Sequence, residues 1–241
     1  MTLFLIHTCI SGGFAGLIYA KYYITVVILW FFFSIFFICW LTSFAVLLFD
    51  DPGSMKLELI NNNYEDERQH CKILCPKCGG LKPFRTHHCS TCNCCFACMD
   101  HHCSVFGRCI ALRNKKIFIQ YFVYAIGMLL IYAGTSLASI FINEFDSFPF
   151  FLAFNVLVGV SLSFLLGVFL FQQLSSAFKG KTTIELLYDV HFEDGLTKYE
   201  RFQQVFGPPS IDWLIPRPLR YEFANPFQWE KYRTMNHEKD D

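Results

Sequence analysis

Apolar positions along this chain fall in long unbroken runs, without the alternation of a half-buried strand or the spaced stripe of a surface helix. Four runs, about Thr2–Ala20, Ile24–Phe49, Ile117–Ile142 and Phe150–Phe178, contain no Asp, Glu, Lys or Arg. Each is long enough to cross a hydrocarbon core of roughly 30 Å as a helix. A polar, cysteine-rich insert separates the second run from the third, and a polar tail follows the fourth. The pattern predicts an all-α integral membrane protein with four transmembrane helices. Its divisions are residues 1–49 (helices 1 and 2), 50–116 (the insert), 117–178 (helices 3 and 4) and 179–241 (the tail).

Composition agrees: 54% of residues are hydrophobic and 18% aromatic, and the mean hydropathy is +0.35. A soluble domain rarely carries that apolar load. The first run lacks a charged leading region and a small-residue cleavage site, and a second apolar run follows at once. It reads as a retained span joined to the next by a short turn near Lys21-Tyr22-Tyr23, not as a signal peptide.

Charge sets the orientation. The insert holds ten Lys and Arg residues, and the tail opens with Lys179-Gly180-Lys181. The connection Asn143–Pro149 has no basic residue. The positive-inside rule therefore places insert and tail in the cytosol, and an even number of spans brings both termini there. The lipid bilayer is the partner for basic residues beside spans. The neutral net charge and the lack of a basic recognition helix argue against nucleic acid.

Ten of the twelve cysteines lie in the insert. In a reducing compartment their spacing is that of metal ligands. The ligand series runs Cys75-x-x-Cys78, then His88-Cys89-x-x-Cys92-x-x-Cys95, then His102 and Cys109. Eight such ligands make two sites of three cysteines and one histidine, the closed tetrahedral set zinc favours. Spacing leaves open which ligand joins which ion, although adjacent His88 and Cys89 point different ways and suit an interleaved pair. A segment of this size with Gly79-Gly80, Pro83 and few apolar residues needs metal to fold. Cys94 and Cys98 read as small packing residues.

Beside His102 stand Asp100, His101 and Cys103. A thiol beside an imidazole beside a carboxylate is the composition of an activated nucleophile: the imidazole takes the thiol proton, and the carboxylate fixes its tautomer. The filled metal shells position this group and activate no water. Thr182-x-x-Glu185 reads as a helix capping box. Asp51-Pro52-Gly53 reads as a helix stop and turn. Polar Asn155 and Gln172, within apolar runs, read as facing the bundle.

The sequence resembles the DHHC-type protein S-acyltransferases, the palmitoyltransferases. The resemblance rests on Asp51-Pro52-Gly53 and on Lys82-Pro83-x-Arg85-x-His87-His88-Cys89-Ser90 within the ligand series. Met99-Asp100-His101-His102-Cys103 and Thr182-Thr183-Ile184-Glu185 carry it further. It implies one zinc held by Cys75, Cys78, His88 and Cys95, and another by Cys89, Cys92, His102 and Cys109. It implies Cys103 as nucleophile, His101 as base and Asp100 as its orienting partner, with Thr182, Thr183 and Glu185 in support and Thr183 near Asp100. Acyl-CoA would be the donor, and substrate proteins with membrane-proximal cysteines the acceptors. Arg108, Arg113, Lys115 and Lys116 are candidates for the CoA phosphates. The setting would be an endomembrane (Golgi or ER) or the plasma membrane.

Two departures stand out. Ser104-Val105-Phe106-Gly107-Arg108 follows Cys103 where the family has Pro-Trp, with Phe106 placed to fill part of the indole's volume. Arg201 stands in the tail where the family has Asn. Both can loosen the loop that holds Cys103. They motivate an alternative, a catalytically weak, membrane-anchored zinc-binding adaptor.

Overall fold

In a computed structural model, the described residues are 23–56, 64, 71–142, 149–190 and 194–229. The expected first span, residues 2–20, and the connection 143–148 lie outside them. Three long helices dominate: α1 (Tyr23–Phe49), α2 (Lys115–Ile142) and α3 (Pro149–Lys179). Among the described residues these three are long and apolar enough to cross a membrane. At 1.5 Å per residue each exceeds roughly 38 Å, more than the hydrocarbon core requires. Their ends fall within two residues of the boundaries predicted from hydrophobicity.

The chain divides into two units. The first comprises described residues up to Thr42 together with Tyr121–Phe171. Here Val26 and Phe33 are buried against Leu29, Phe37, Met128, Ile131 and Tyr132. Gly159 permits close approach of α3 to α2: a Cβ there would lie 2.9 Å from the Ala133 Cβ, the small-residue contact by which membrane helices pack. Large side chains such as Phe31, Phe154, Leu157 and Phe164 are exposed, as lipid-facing positions require. Asn155 is buried as expected. Gln172, in the second unit, faces outward instead, and neighbouring Gln173 is the buried glutamine.

The second unit comprises Ser43–Gln120 and the described residues from Gln172 onward. It departs from a purely helical fold by four short strands. Strands β1 (Thr86–Cys89) and β2 (Cys94–Ala97) form one antiparallel hairpin, and β3 (His101–Cys103) and β4 (Arg108–Ile110) another. Strands this short bury little and are marginal alone. The Asp51-Pro52-Gly53 turn secures the first: the Asp51 carboxylate accepts from the Gly53 and Ser54 amides, both at 2.9 Å. The Gly53 carbonyl accepts from Ala97 N, and the Cys95 carbonyl from Met55 N. Two short helices, α4 (Thr183–Leu187) and α5 (Lys198–Phe206), and a 3-10 turn, Ile211–Trp213, complete the unit. Its core joins Cys71, Cys75, Leu81 and Cys95 to Leu219, Ala224, Phe227 and Trp229 from the tail.

Candidate active site and metal centres

Strand alternation sorts the ligands. Successive side chains on a strand point to opposite faces, so His88 and Cys89 leave β1 in opposite directions. Directly opposite His88 in the hairpin is Cys95, and these two join the knuckle cysteines Cys75 and Cys78 in one group. Opposite His102 is Cys109, and they join Cys89 and Cys92 in the other. Each group is thus one Cys-x-x-Cys knuckle plus one cross-strand His–Cys pair, and β1 contributes to both. These are the two sets of four that the family resemblance implied.

The geometry fits zinc. Tetrahedral bonds of about 2.3 Å to sulfur and 2.0–2.1 Å to nitrogen place ligands roughly 3.6–3.8 Å apart. Cys78 and Cys95 Sγ are 3.6 Å apart, and Cys92 and Cys109 Sγ 3.7 Å. His102 Nδ1 lies 3.5, 3.4 and 3.8 Å from the sulfurs of Cys89, Cys92 and Cys109. All six cysteines of the two groups are free of disulfides. Either group can hold a metal ion, and the donor chemistry is that of zinc.

The same alternation separates the tetrapeptide. His102 turns toward the second metal group, while His101 and Cys103 share the other face of β3. Asp100, just ahead of the strand, is completely buried and receives four hydrogen bonds. His101 Nδ1 meets its Oδ2 at 2.9 Å, which leaves Nε2 as the ring nitrogen able to take a proton. Thr183 donates its hydroxyl to Oδ2 at 2.8 Å and its amide to Oδ1 at 2.9 Å. Lys115 donates to Oδ1 at 2.6 Å. Burial by itself raises the carboxyl's pKa; the hydrogen bond from His101 and the Lys115 ammonium outweigh it and hold Asp100 well below the usual carboxylate range.

Thr182 and Glu185 form the capping box expected of α4, with the Thr182 hydroxyl accepting from Glu185 N and the Glu185 carboxylate from Thr182 N. The box is extended by a residue whose role sequence reasoning missed. Arg85 forms a bidentate pair with Glu185 at 2.6 and 2.7 Å and donates to the Gly180 carbonyl at 2.7 Å. A partner one hundred positions away leaves no local signal.

The four basic candidates for CoA phosphates are engaged within the protein. Arg108 donates to the carbonyls of Leu48 and Asp50. Arg113 donates to those of Asp51 and Leu219 and stacks on Tyr221. Lys115 binds Asp100, and Lys116 the Asp212 carbonyl. Cys98 is a buried packing residue whose thiol burial pushes up to about 12. Cys103 stands half-buried at the strand's edge.

Each departure is packed in part, although Val105 itself is exposed. Phe106 is buried between Phe44 and Phe118, and the Phe118 ring meets His101 edge-on with centroids 5.4 Å apart. Arg201 pairs bidentately with Asp194, and its aliphatic stem covers Gly180, where a Cβ would come within 2.7 Å of it. Gly180 has φ +68°, a conformation glycine adopts without strain.

Helices long and apolar enough to cross a membrane, two Cys/His groups that can hold metal ions, and Asp100, His101 and Cys103 in sequence define the class: a membrane protein with a cysteine-rich metal-binding region. The DHHC palmitoyltransferase family model matches residues 67–189. The chain is 34% identical to palmitoyltransferase PFA3 of Candida glabrata over 70% of its own length and 58% of the relative's. It is 28% identical to the probable protein S-acyltransferase 12 of Arabidopsis thaliana over 87% and 76%. It is 32% identical to human palmitoyltransferase ZDHHC15 over 59% and 46%. The chain thus spans about half the length of the yeast and human relatives. It belongs to the DHHC palmitoyltransferase family.

Proposed function

We propose that this protein is a protein S-acyltransferase that moves a long-chain acyl group, palmitoyl in the first instance, from acyl-CoA through a Cys103 thioester to cysteines of substrate proteins. The reading is carried by one observation: His101, on the same face of β3 as Cys103, has Nδ1 bound to a fully buried Asp100. His101 Nε2 takes the Cys103 proton, and the thiolate attacks the acyl-CoA thioester carbonyl. The tetrahedral intermediate expels CoA thiolate, which recovers the proton from His101. In the second half-reaction a substrate thiol gives its proton to His101 and attacks the Cys103 thioester, and the released Cys103 thiolate is reprotonated. One thioester forms as another breaks in each half, so no external energy source is required.

In this reading zinc at both centres shapes the turn that presents Cys103, and its full thiolate–imidazole shells leave the chemistry to protein side chains. The divisions 1–49, 50–116, 117–178 and 179–241 serve as two spans, cytosolic DHHC domain, two spans and cytosolic tail. Four spans with both termini cytosolic set Cys103 at the cytosolic face of an endomembrane or the plasma membrane, while the acyl chain stays within hydrocarbon. The buried Phe106 and the Arg201–Asp194 pair support an enzyme over an adaptor, because each ties part of a departure into the fold.

The test is covalent labelling of the purified full chain with palmitoyl-CoA. Wild type should acquire a hydroxylamine-labile acyl group, and Cys103→Ser should lose it with zinc content unchanged. Equal labelling of the mutant refutes Cys103 as the nucleophile.

A further inference from the structure

A lysine in the first turn of a helix stands at the positive end of the helix dipole, where a cation is disfavoured. Lys115 occupies that place in α2, and only about 5% of it is exposed. Its ammonium makes two short contacts, 2.6 Å to Asp100 Oδ1 and 2.7 Å to Ser176 Oγ. Ser176, near the end of α3, is itself buried. Its single hydroxyl proton goes to the Lys181 carbonyl at 2.7 Å, so toward Lys115 it acts as an acceptor. The polarity of the chain is therefore set from end to end: Ser176 aligns the ammonium, and the ammonium faces the carboxylate.

Asp100 divides its two oxygens between different tasks. Oδ1 takes the cation and the Thr183 amide, whereas Oδ2 takes His101 and the Thr183 hydroxyl. We propose that Lys115, aligned by Ser176, is a positioning residue for the Cys103 chemistry: it locks Oδ1 so that Oδ2 stays directed at His101 Nδ1. The inference rests on the acyl-transfer reading for its consequence on rate, but not for its effect on the thiol itself. Without Lys115, Oδ1 keeps only the Thr183 amide, so the carboxylate is held less firmly about its terminal torsion and is directed less accurately at the imidazole whose tautomer it fixes.

The experiment compares wild type with Lys115→Ala and Ser176→Ala, using the full chain in lipid nanodiscs and zinc content as the check on folding. Two rates are read: alkylation of Cys103 by iodoacetamide, located by mass spectrometry, and single-turnover thioester formation from palmitoyl-CoA. Lys115→Ala should slow both by about 10- to 100-fold, the scale of a misplacement near 1 Å, with the half-saturating palmitoyl-CoA concentration unchanged. Methylammonium, which fits the vacated slot and carries N–H donors, should restore part of both rates, and tetramethylammonium should not. Ser176→Ala should show a smaller loss of the same kind.

Rates within about twofold of wild type in a zinc-replete Lys115→Ala protein overturn the inference. So does a raised half-saturating concentration with no amine rescue, which would make Lys115 a donor-binding group. Should Lys115→Ala fail to retain zinc, unchanged alkylation in Ser176→Ala overturns the inference, and slower alkylation supports it. A wild type that accepts no acyl group, yet whose alkylation depends on Lys115, refutes the acyl-transfer reading and leaves the positioning role standing.

Discussion

Arg85 and Glu185 are almost completely buried and satisfy each other bidentately. The Arg85 guanidinium also lies 4.9 Å from the centre of the Trp229 ring, so its loss removes both a charge partner and a stacking contact. Burial works against the Glu185 charge, but the Arg85 hydrogen bond outweighs it and lowers the carboxyl's pKa. Removing one partner from a buried pair leaves the other charge uncompensated, at a cost of about 3–5 kcal/mol. Arg85→Met should therefore lower the thermal unfolding midpoint of the solubilised protein clearly. The double variant Arg85→Met with Glu185→Met should lie closer to wild type than either single one. A double variant as unstable as the sum of the singles would show that the two residues do not compensate each other. Among individual positions, what the sequence made legible was chemistry carried by neighbours: Asp100, His101 and Cys103 stand together, and Thr182 and Glu185 are three apart. What it withheld were partners joined only by folding. Arg85 with Glu185, and Lys115 with Ser176, have nothing in their spacing to announce them.

The two hairpins carry a dependence that neither has alone. Strand β1 gives His88 to one metal group and Cys89 to the other, so losing either ion frees the strand that the second ion needs. Removal of metal by a chelator should release both ions in a single cooperative transition, followed by absorbance of a metal-sensitive dye. Two separated steps would contradict this coupling. The long helices were the most legible elements, because unbroken apolar runs of this length have few other solutions. The four strands were not legible: each has three or four residues, too few for an alternation to register. Their register is set by ligand pairing across the hairpins, His88 with Cys95 and His102 with Cys109.

Taken as a whole, the second unit depends on residues of the tail. Leu219, Ala224, Phe227 and Trp229 share a core with Cys75 and Cys95 of the first metal group. The Tyr64 hydroxyl donates to the carbonyls of Tyr221 and Ala224 at 2.9 and 2.8 Å. Truncation after Pro218 should strip this cover, and metal should leave the first group faster under chelation than in the full chain. Equal rates would reduce the tail to a bystander. No sequence pattern foretold this wrapping, since the tail's apolar residues are irregularly spaced. The sharing of β1 has another consequence, in time. Synthesis proceeds from the N-terminus, so the first ligand set is complete once Cys95 emerges, while the second waits for Cys109. At about 5–20 residues per second, Cys89 and Cys92 spend on the order of a second as an open thiol pair before Cys109 completes their set. The nascent chain therefore passes through an interval in which metal supply and oxidant compete for the same two sulfurs.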